Sequence, residues 1–482
     1  MFKSIDENIK YIKEINHEST DINVREFKIG SKRVCYINLE STSSDDKISN
    51  FLMKNVDLMI NFNSKKIFNN LFNDLKNQIP NSKLKIIDSD LFYYLASGFT
   101  LIFVDKIDKC IAIETKANLD RSVGEPTTEL IVRGPKDSFN ENYNVNIGLI
   151  RKRIKDNNLF FDEIMVGKRT RTKIAISYID DIVDKDLVSK IKKRLEHIDI
   201  DGIIDSGNLK SFICPKLRSA FPFIKDTERP DIVCQSLLQG KVCIIVENSP
   251  FVLVFPAFLI DYFKVSQDYY EKSINANFTR ILRITAFILT IVVPALYVAI
   301  MTFNAEVIPD SLLLSLAMQR EGVPFSTAAE VMILSIAFEI LRESDIRMPA
   351  IMGASISIVG ALVLGDAAVN AGIVSPFGVI IVAVTAICGL IFSDVDFINA
   401  TRWWRFIFLI GAIFLGLLGI VSIGAIFVVH IASLEVLDIP YSYPLAPIDQ
   451  DEDVLVKPAN ANFFRGKLLT KNHIKMRDHH EK

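Results

Sequence analysis

No lysine occurs between Ile281 and Tyr441, in a 482-residue chain that otherwise carries lysine freely. That gap is filled with apolar residues and excludes a uniformly water-facing surface along this stretch. Cysteine is sparse and scattered: Cys35, Cys110, Cys214, Cys234, Cys243 and Cys388 show no short paired spacing. A disulfide scaffold or a zinc site needs such pairs, so neither is expected, and the soluble part suits a reducing compartment. Excess basic charge is missing too. A formal charge of −2 and no basic–aromatic stripe leave no footprint for nucleic acid. The opening MFKSIDENIKYIKEI lacks an apolar core, which argues against a cleaved signal peptide. No nucleophile–base set, carboxylate pair or phosphate-loop glycine spacing emerges, so neither an enzyme nor a cofactor is expected. His473, His479 and His480 lie in the tail, where solvation is a simpler reading than metal binding.

What is present divides the chain in three. A hydrophobic share of 50%, together with the lysine-free tract, predicts a soluble head, a membrane region and a short polar tail. The expected fold is an α/β cytosolic head of two subdomains joined to an α-helical polytopic membrane domain. Residues 1–45, rich in Lys, Asn and Ser, read as a loosely ordered lead-in. Residues 46–165 and 166–270 read as the two α/β subdomains, 271–440 as the membrane domain with four or five spans, and 441–482 as the tail.

In the head, apolar spacing predicts helices over Phe51–Phe62, Ile67–Leu75 and Asp184–His197. Strands are expected over Phe92–Phe103, Cys110–Thr115, Lys173–Ile179, Ile200–Ile204 and Lys241–Val246, with Lys173–Ile204 forming a β-α-β unit. Between them, Glu114–Ile154 packs Glu125, Arg133, Arg151 and other charges around Gly124, Pro126, Gly134 and Pro135. Such turn-rich, charged segments either carry function or form a solvated interdomain surface.

From Pro250 the chain turns apolar. Phe251–Phe263 is too short to cross a bilayer and reads as interfacial, and Ile284–Phe303 is the first clear span. Lys264, Lys272, Arg280 and Arg283 before it place the head on the cytoplasmic side. Ser311–Met318 and Ala328–Leu341 are short for spans, and Trp403–Ile431 reads as one long final span. The stretch Met348–Asp394 between them reads as a membrane hairpin. Its first arm repeats small residues at four-residue spacing, Gly353, Ser357, Ala361 and Gly365, a face that permits close helix approach. That face and Asp366 are the pore or gate candidates. Glu330 and Glu339 lie in an apolar segment, where a charge invites a functional reading. Arg342, three residues after Glu339, stands where it can pair with it. Glu330 suits a helix start. A cytoplasmic tail requires an even number of crossings, which leaves the segment at Ala328 unsettled.

The chain resembles the A subunits of GerA-type spore germinant receptors. In the head the likeness rests on Glu125-Pro126, Arg133–Phe139, Asn146–Arg153, Asp201–Gly207, Thr227-Glu228-Arg229-Pro230-Asp231 and Ser249-Pro250-Phe251. In the membrane part it rests on Glu306–Pro309, Arg320–Phe325, Glu339–Glu343, Ile358–Gly365, Ser375-Pro376 and Pro440-Tyr441. Gln239, Glu247-Asn248, Asp366 and Ser393–Asp396 depart from the usual pattern. The resemblance implies a multi-pass protein of the spore inner membrane, working with a transporter-like B subunit that senses the nutrient and a lipoprotein C subunit. It further implies a homo-oligomer, a pentamer, forming a ligand-gated ion channel. It also marks Glu125, Arg133, Arg151, Glu228 and Arg229 as candidates for a head interface.

Overall fold

Alternating apolar residues along short β-branched runs build two five-stranded sheets. The computed structural model describes residues 1–15, 20–44, 47–49, 63–78, 84–116, 124–214, 219–347, 365–437 and 439–445. The chain divides into two compact units, Met1–Leu217 with Ile224–Ala257, and Arg218–Phe223 with Phe258–Ala461.

The first unit contains both sheets. Its first lobe comprises α1 (Ile5–Ile15), β1 (Ile22–Ile29), β2 (Lys32–Leu39), α2 (Ser64–Gln78), β3 (Leu84–Ile87), α3 (Leu91–Ala96), β4 (Phe99–Val104) and β5 (Cys110–Glu114). The strand order is β1-β2-β4-β5-β3, with every pair antiparallel. Side chains alternate across a strand, so Val34, Ile102 and Ile111 face Ile67, Leu71 and Leu75 of α2. Cys35, Ile37, Leu101, Phe103 and Ala112 face Ile5 and Ile12 of α1 and Leu91 and Leu95 of α3. Both faces are covered, which is why β4 and β5 read as continuous apolar runs.

The second lobe comprises α4 (Tyr143–Arg153), β6 (Leu159–Val166), β7 (Thr172–Ile179), α5 (Lys185–Glu196), α6 (Gly207–Ile213), β8 (Lys225–Thr227), α7 (Pro230–Leu238), β9 (Val242–Val246) and β10 (Val252–Phe255). Its order is β6-β7-β9-β10-β8, again antiparallel throughout. One face packs on Ile147, Ile150, Val233 and Leu237 of α4 and α7. Asp184 caps α5 by accepting from the Asp186 N–H, the usual way to satisfy an orphan donor at a helix start.

Several expectations for the head need correction. Residues 1–45 are not a loose lead-in, because α1 seals one face of the first sheet and β1 and β2 pair in full register. The lobe boundary does not fall at 165/166, which lies inside the β6–β7 ladder. Phe92–Phe103 is a helix followed by a strand, since Leu91, Phe92 and Leu95 are spaced to bury one helical face. Ile200–Ile204 is loop, so no β-α-β unit forms. Phe251–Phe263 is not interfacial in its first half, because β10 is fully buried in the head sheet. Phe51–Phe62 lies outside the described residues.

The second unit is helical: α8 (Ser273–Phe303), α9 (Asp310–Gln319), α10 (Thr327–Arg347), α11 (Pro376–Gly389) and α12 (Val395–Ser433). Two of these, α8 and α12, are long and apolar enough to cross a membrane. The 39 residues of α12 do not form one rod. Gly416, at φ 59 and ψ −137, breaks the helical path. The Trp404 ring lies 4.7 Å from Phe427 and 5.3 Å from His430. In a straight helix 23 residues rise about 35 Å, so the arms 395–415 and 417–433 run antiparallel. Gly411 and Gly419 let them meet, since a Cβ at either position would strike the facing arm. The single final span expected over Trp403–Ile431 is therefore two helices, with Gly411 and Gly419 at the contact between them.

Both arms lie along α8. Phe287 stacks on Phe397 at 5.6 Å and nears Phe427 at 6.3 Å. Gly416 sits against Phe303 at the other end of α8. The end at which the chain arrives, Phe258, is called proximal below, and the end at Phe303 and Gly416 distal. Arg280 and Arg283, read above as a free basic flank, both contact the buried carboxylate of Asp268 at 3.2 and 2.8 Å.

Candidate functional site

The motifs singled out in the head converge. Glu228, buried at the start of α7, receives the Thr128 N–H at 2.5 Å, the Thr128 hydroxyl at 2.8 Å, the Glu129 N–H at 3.1 Å and the Thr127 hydroxyl at 3.3 Å. Arg229 is fully buried. It donates to the carbonyls of Glu129 at 3.3 Å and Pro135 at 3.1 Å, and to Asp231 at 2.8 Å. The Thr227 hydroxyl donates to the Glu129 carboxylate, and the Phe139 N–H to the Glu228 carbonyl at 2.7 Å. Segment 124–139 is thus a strap, fastened along its length to Thr227–Asp231. No regular ladder holds it, so side chains satisfy its backbone groups.

Two carboxyls at this fastening, Glu228 and Glu129 of the strap, are pushed in opposite directions. Burial works against ionising Glu228, but the donors from Thr128, Glu129 and Thr127 overcome it and hold the group below the usual range. Burial pushes Glu129 up, and Lys225, Thr227 and Arg229 only partly offset it. The strap also presents Leu130 and Val132 at 77% and 91% exposure. Beside them Arg133 is exposed, and Glu125 pairs with Lys136 at 3.5 Å.

Arg151 lies elsewhere, between the two lobes. Its guanidinium reaches Asp21 at 3.2 and 3.4 Å and sits between the rings of Phe92 and Phe161 at 5.2 and 4.9 Å. Asp21 and Phe92 come from the first lobe, Arg151 and Phe161 from the second. A planar, weakly hydrated cation suits such a sandwich. Alongside opens a cleft of about 780 Å³, lined among others by Tyr11, Asp88, Asp90, Tyr93, Lys155 and Asp156.

In the helical unit Glu330 and Glu339 are tied down. Glu330, wholly buried in the first turn of α10, accepts the Ser375 N–H and hydroxyl, both at 2.6 Å. The Ser375 hydroxyl in turn caps α11 through the Gly378 N–H at 3.1 Å. One carboxylate therefore serves two helix starts, where its charge opposes both dipoles. Arg320 stands 4.0 Å away. Glu339 does not take Arg342. It receives Arg402 at 2.5 Å and Arg405 at 2.5 Å from α12, because two guanidiniums from a facing helix satisfy both oxygens where a neighbour on the same helix reaches one. Gly353, Ser357 and Ala361 lie outside the described residues. Gly365 has open space where a side chain would be, and Asp366 accepts from Asn370 at 2.9 Å on the surface. Among the described residues no group of His, Cys, Asp and Glu could hold a metal ion.

A family model described as Bacillus/Clostridium GerA spore germination protein matches residues 10–472. The chain belongs to the GerA family. The likeness to GerA-type A subunits read from its motifs accordingly stands. Spore germination protein KA of Bacillus subtilis (strain 168) is 38% identical to this GerA chain over 449 residues, 92% of this chain and 82% of that one. Spore germination protein GerLA of Bacillus cereus is 37% identical over 358 residues, 74% of this chain and 73% of that one. A crystal structure of the N-terminal domain of the A subunit of the Bacillus megaterium spore germinant receptor GerK3 matches at TM-score 0.42 and 29% identity, over 54% of this chain and 96% of that one. In this GerA chain Asp21, Asp231, Ser375, Gly378, Arg402 and Arg405 complete the sites without having been singled out as site residues. Only Ser375-Pro376, a hydroxyl followed by proline at a helix start, carries a local signal that could have marked one of them.

Proposed function

We propose that this GerA chain is the A subunit of a germinant receptor and couples nutrient sensing by partner subunits to ion release across the spore inner membrane. Its head faces the cytoplasm, and its partners are a transporter-like B subunit, a lipoprotein C subunit and further copies of itself, a pentamer. Family membership across residues 10–472 carries this reading. The apolar α8, long enough to cross a membrane, and the two apolar arms of α12 support it. So does the fixing of Ser375, at the start of α11, by Glu330. The small-residue face Gly353–Ser357–Ala361–Gly365 is the proposed gate, with Asp366 at its mouth; a head interface is proposed at the exposed Glu125 and Arg133, while Glu228 and Arg229 fasten the strap that carries them and Arg151 is buried between the lobes.

A second reading is a non-conducting scaffold that clusters the other subunits. It is favoured by the use of Glu330 and Glu339 in internal pairing, which leaves neither carboxylate free to attract ions. Ion flux in liposomes, with and without the partner subunits, separates the two. Conduction that an Ala361→Trp substitution abolishes at unchanged protein level supports the gate. Flux absent from the complete, nutrient-exposed receptor sinks it.

A further inference from the structure

The chain passes between the two units at 217/218, at 223/224 and at 257/258. A short stretch thereby leaves the middle of the first unit's sequence and is built into the second. Its described part, 219–223, lies within the proximal end of the helical unit. The Ser219 hydroxyl meets His430 Nε2 at 3.1 Å and accepts the Phe221 N–H at 3.2 Å. Phe221 is 2% exposed. Its ring packs at 6.1 Å from Phe397 on one arm of α12, 6.0 Å from Phe427 on the other, and 6.1 Å from Tyr441. Phe223 meets Tyr441 edge-on at 5.2 Å, and the Tyr262 hydroxyl donates to the Pro222 carbonyl at 3.2 Å.

Immediately beyond it the chain is again head. Ile224 is buried, and β8 pairs with β10 as Thr227↔Val252 and Lys225↔Val254. Glu228 and Arg229 follow without a break and fasten the strap. From Phe223 to Thr227 even an extended chain spans only about 13 Å, so the connection holds no slack. On the helical side the connection is anchored by a buried aromatic ring that touches both arms of α12.

We propose that residues 219–223 form a hook that makes the position of β8 and its strap depend on how the two arms of α12 pack at their proximal end. This deepens the proposed function by naming its coupling route, and it rests on that reading for its purpose. An opening of the arms, whatever drives it, pulls Phe221 and Phe223 and with them β8. A displacement of β8 runs the same route in reverse.

The full-length protein in micelles tests this by hydrogen exchange. Phe221→Ala empties the aromatic anchor, and insertion of two glycines between Phe223 and Ile224 keeps the anchor but slackens the link. In both variants the amides of β8 and of Thr128 and Glu129 should exchange at least tenfold faster, while β7 is unchanged. Unchanged exchange at β8 and the strap in either variant overturns the hook. If Phe221→Ala does not accumulate, Phe221→Leu and the glycine insertion decide on the same criterion. Ion release from spores carrying the glycine insertion is measured separately. Loss of release together with faster β8 exchange supports the coupling route, and normal release refutes it. Absence of release from the unaltered protein would instead refute the proposed function and leave the exchange result standing.

Discussion

Removing the Glu228 carboxylate should free the strap without unfolding the head. Glu228→Ala leaves the N–H groups of Thr128 and Glu129 without their acceptor, after bonds of 2.5 and 3.1 Å to a charged oxygen. Bonds to charged groups contribute about 1.5–3 kcal/mol each. The strap is partly open to water, which places the pair at the low end, about 3 kcal/mol. At about 1.4 kcal/mol per decade this raises local opening about 100-fold. Hydrogen exchange at Thr128 and Glu129 should quicken by that factor, while β7 amides, in the fully paired core of the lobe, stay protected. Glu228→Gln keeps a neutral acceptor and should lie between. Acid should mimic the mutation. The folded value of Glu228 lies below its unfolded one, so its contribution is fully present above the ordinary carboxylate range. It is lost as pH falls through that lowered value. Unaltered exchange in Glu228→Ala, or equal acceleration in strap and β7, would refute the strap as a separately fastened element.

Glu129 should behave oppositely: its raised value means that ionisation costs stability as pH climbs through and above the ordinary range. Glu129→Gln, which retains an acceptor for Thr227, should therefore slow strap exchange at pH 7 and flatten its pH dependence. Arg229→Met takes the guanidinium away from the Asp231 carboxylate and from the carbonyls of Glu129 and Pro135. Breaking a buried pair on one side costs about 3–5 kcal/mol, and calorimetry should show the head melting about 10 °C lower. In the helical unit, Gly378→Ala drives a Cβ into the Glu330 carboxylate and the Ser375 hydroxyl. A cost of about 1–3 kcal/mol should appear as a lower melting temperature in detergent. Gly389→Ala, whose nearest neighbour is Thr290 at 3.7 Å, should change nothing.

Elements whose apolar period was intact could be read directly. Ile67, Leu71 and Leu75 announced α2, and Leu187, Ile191 and Leu195 announced α5. The N-terminal strands escaped because β1, INVREFKI, is half exposed and mixes charge into its alternation. In α3 six residues carry too little period to separate a helix from the strand that follows. The reversal of α12 was hidden for a different reason. Glycines three to five residues apart suit both a packed span and two arms packed on each other, and only the positive φ at Gly416 decides between them. The sites were legible in parts. Resemblance marked both the strap and Thr227–Asp231, yet nothing local could show that segments about a hundred positions apart fasten to each other. For Glu339, Arg342 was the visible partner, while Arg402 and Arg405 lie 63 and 66 residues away. Long-range pairing of charges leaves no periodic trace.

The turn at Gly416 changes how the crossings of the helical unit are counted. Counted as one crossing, α12 would deliver the tail to the distal face. Folded back, it returns the chain to its starting level, where the Leu259 N–H donates to the Tyr441 carbonyl at 3.1 Å. Departure and return lie side by side, so a membrane crossed by the helical unit would be traversed an even number of times between them. A reporter fused after Pro447 and one fused within 264–272 should therefore report the same compartment. A protease added to one side of the membrane should likewise reach both reporters or neither.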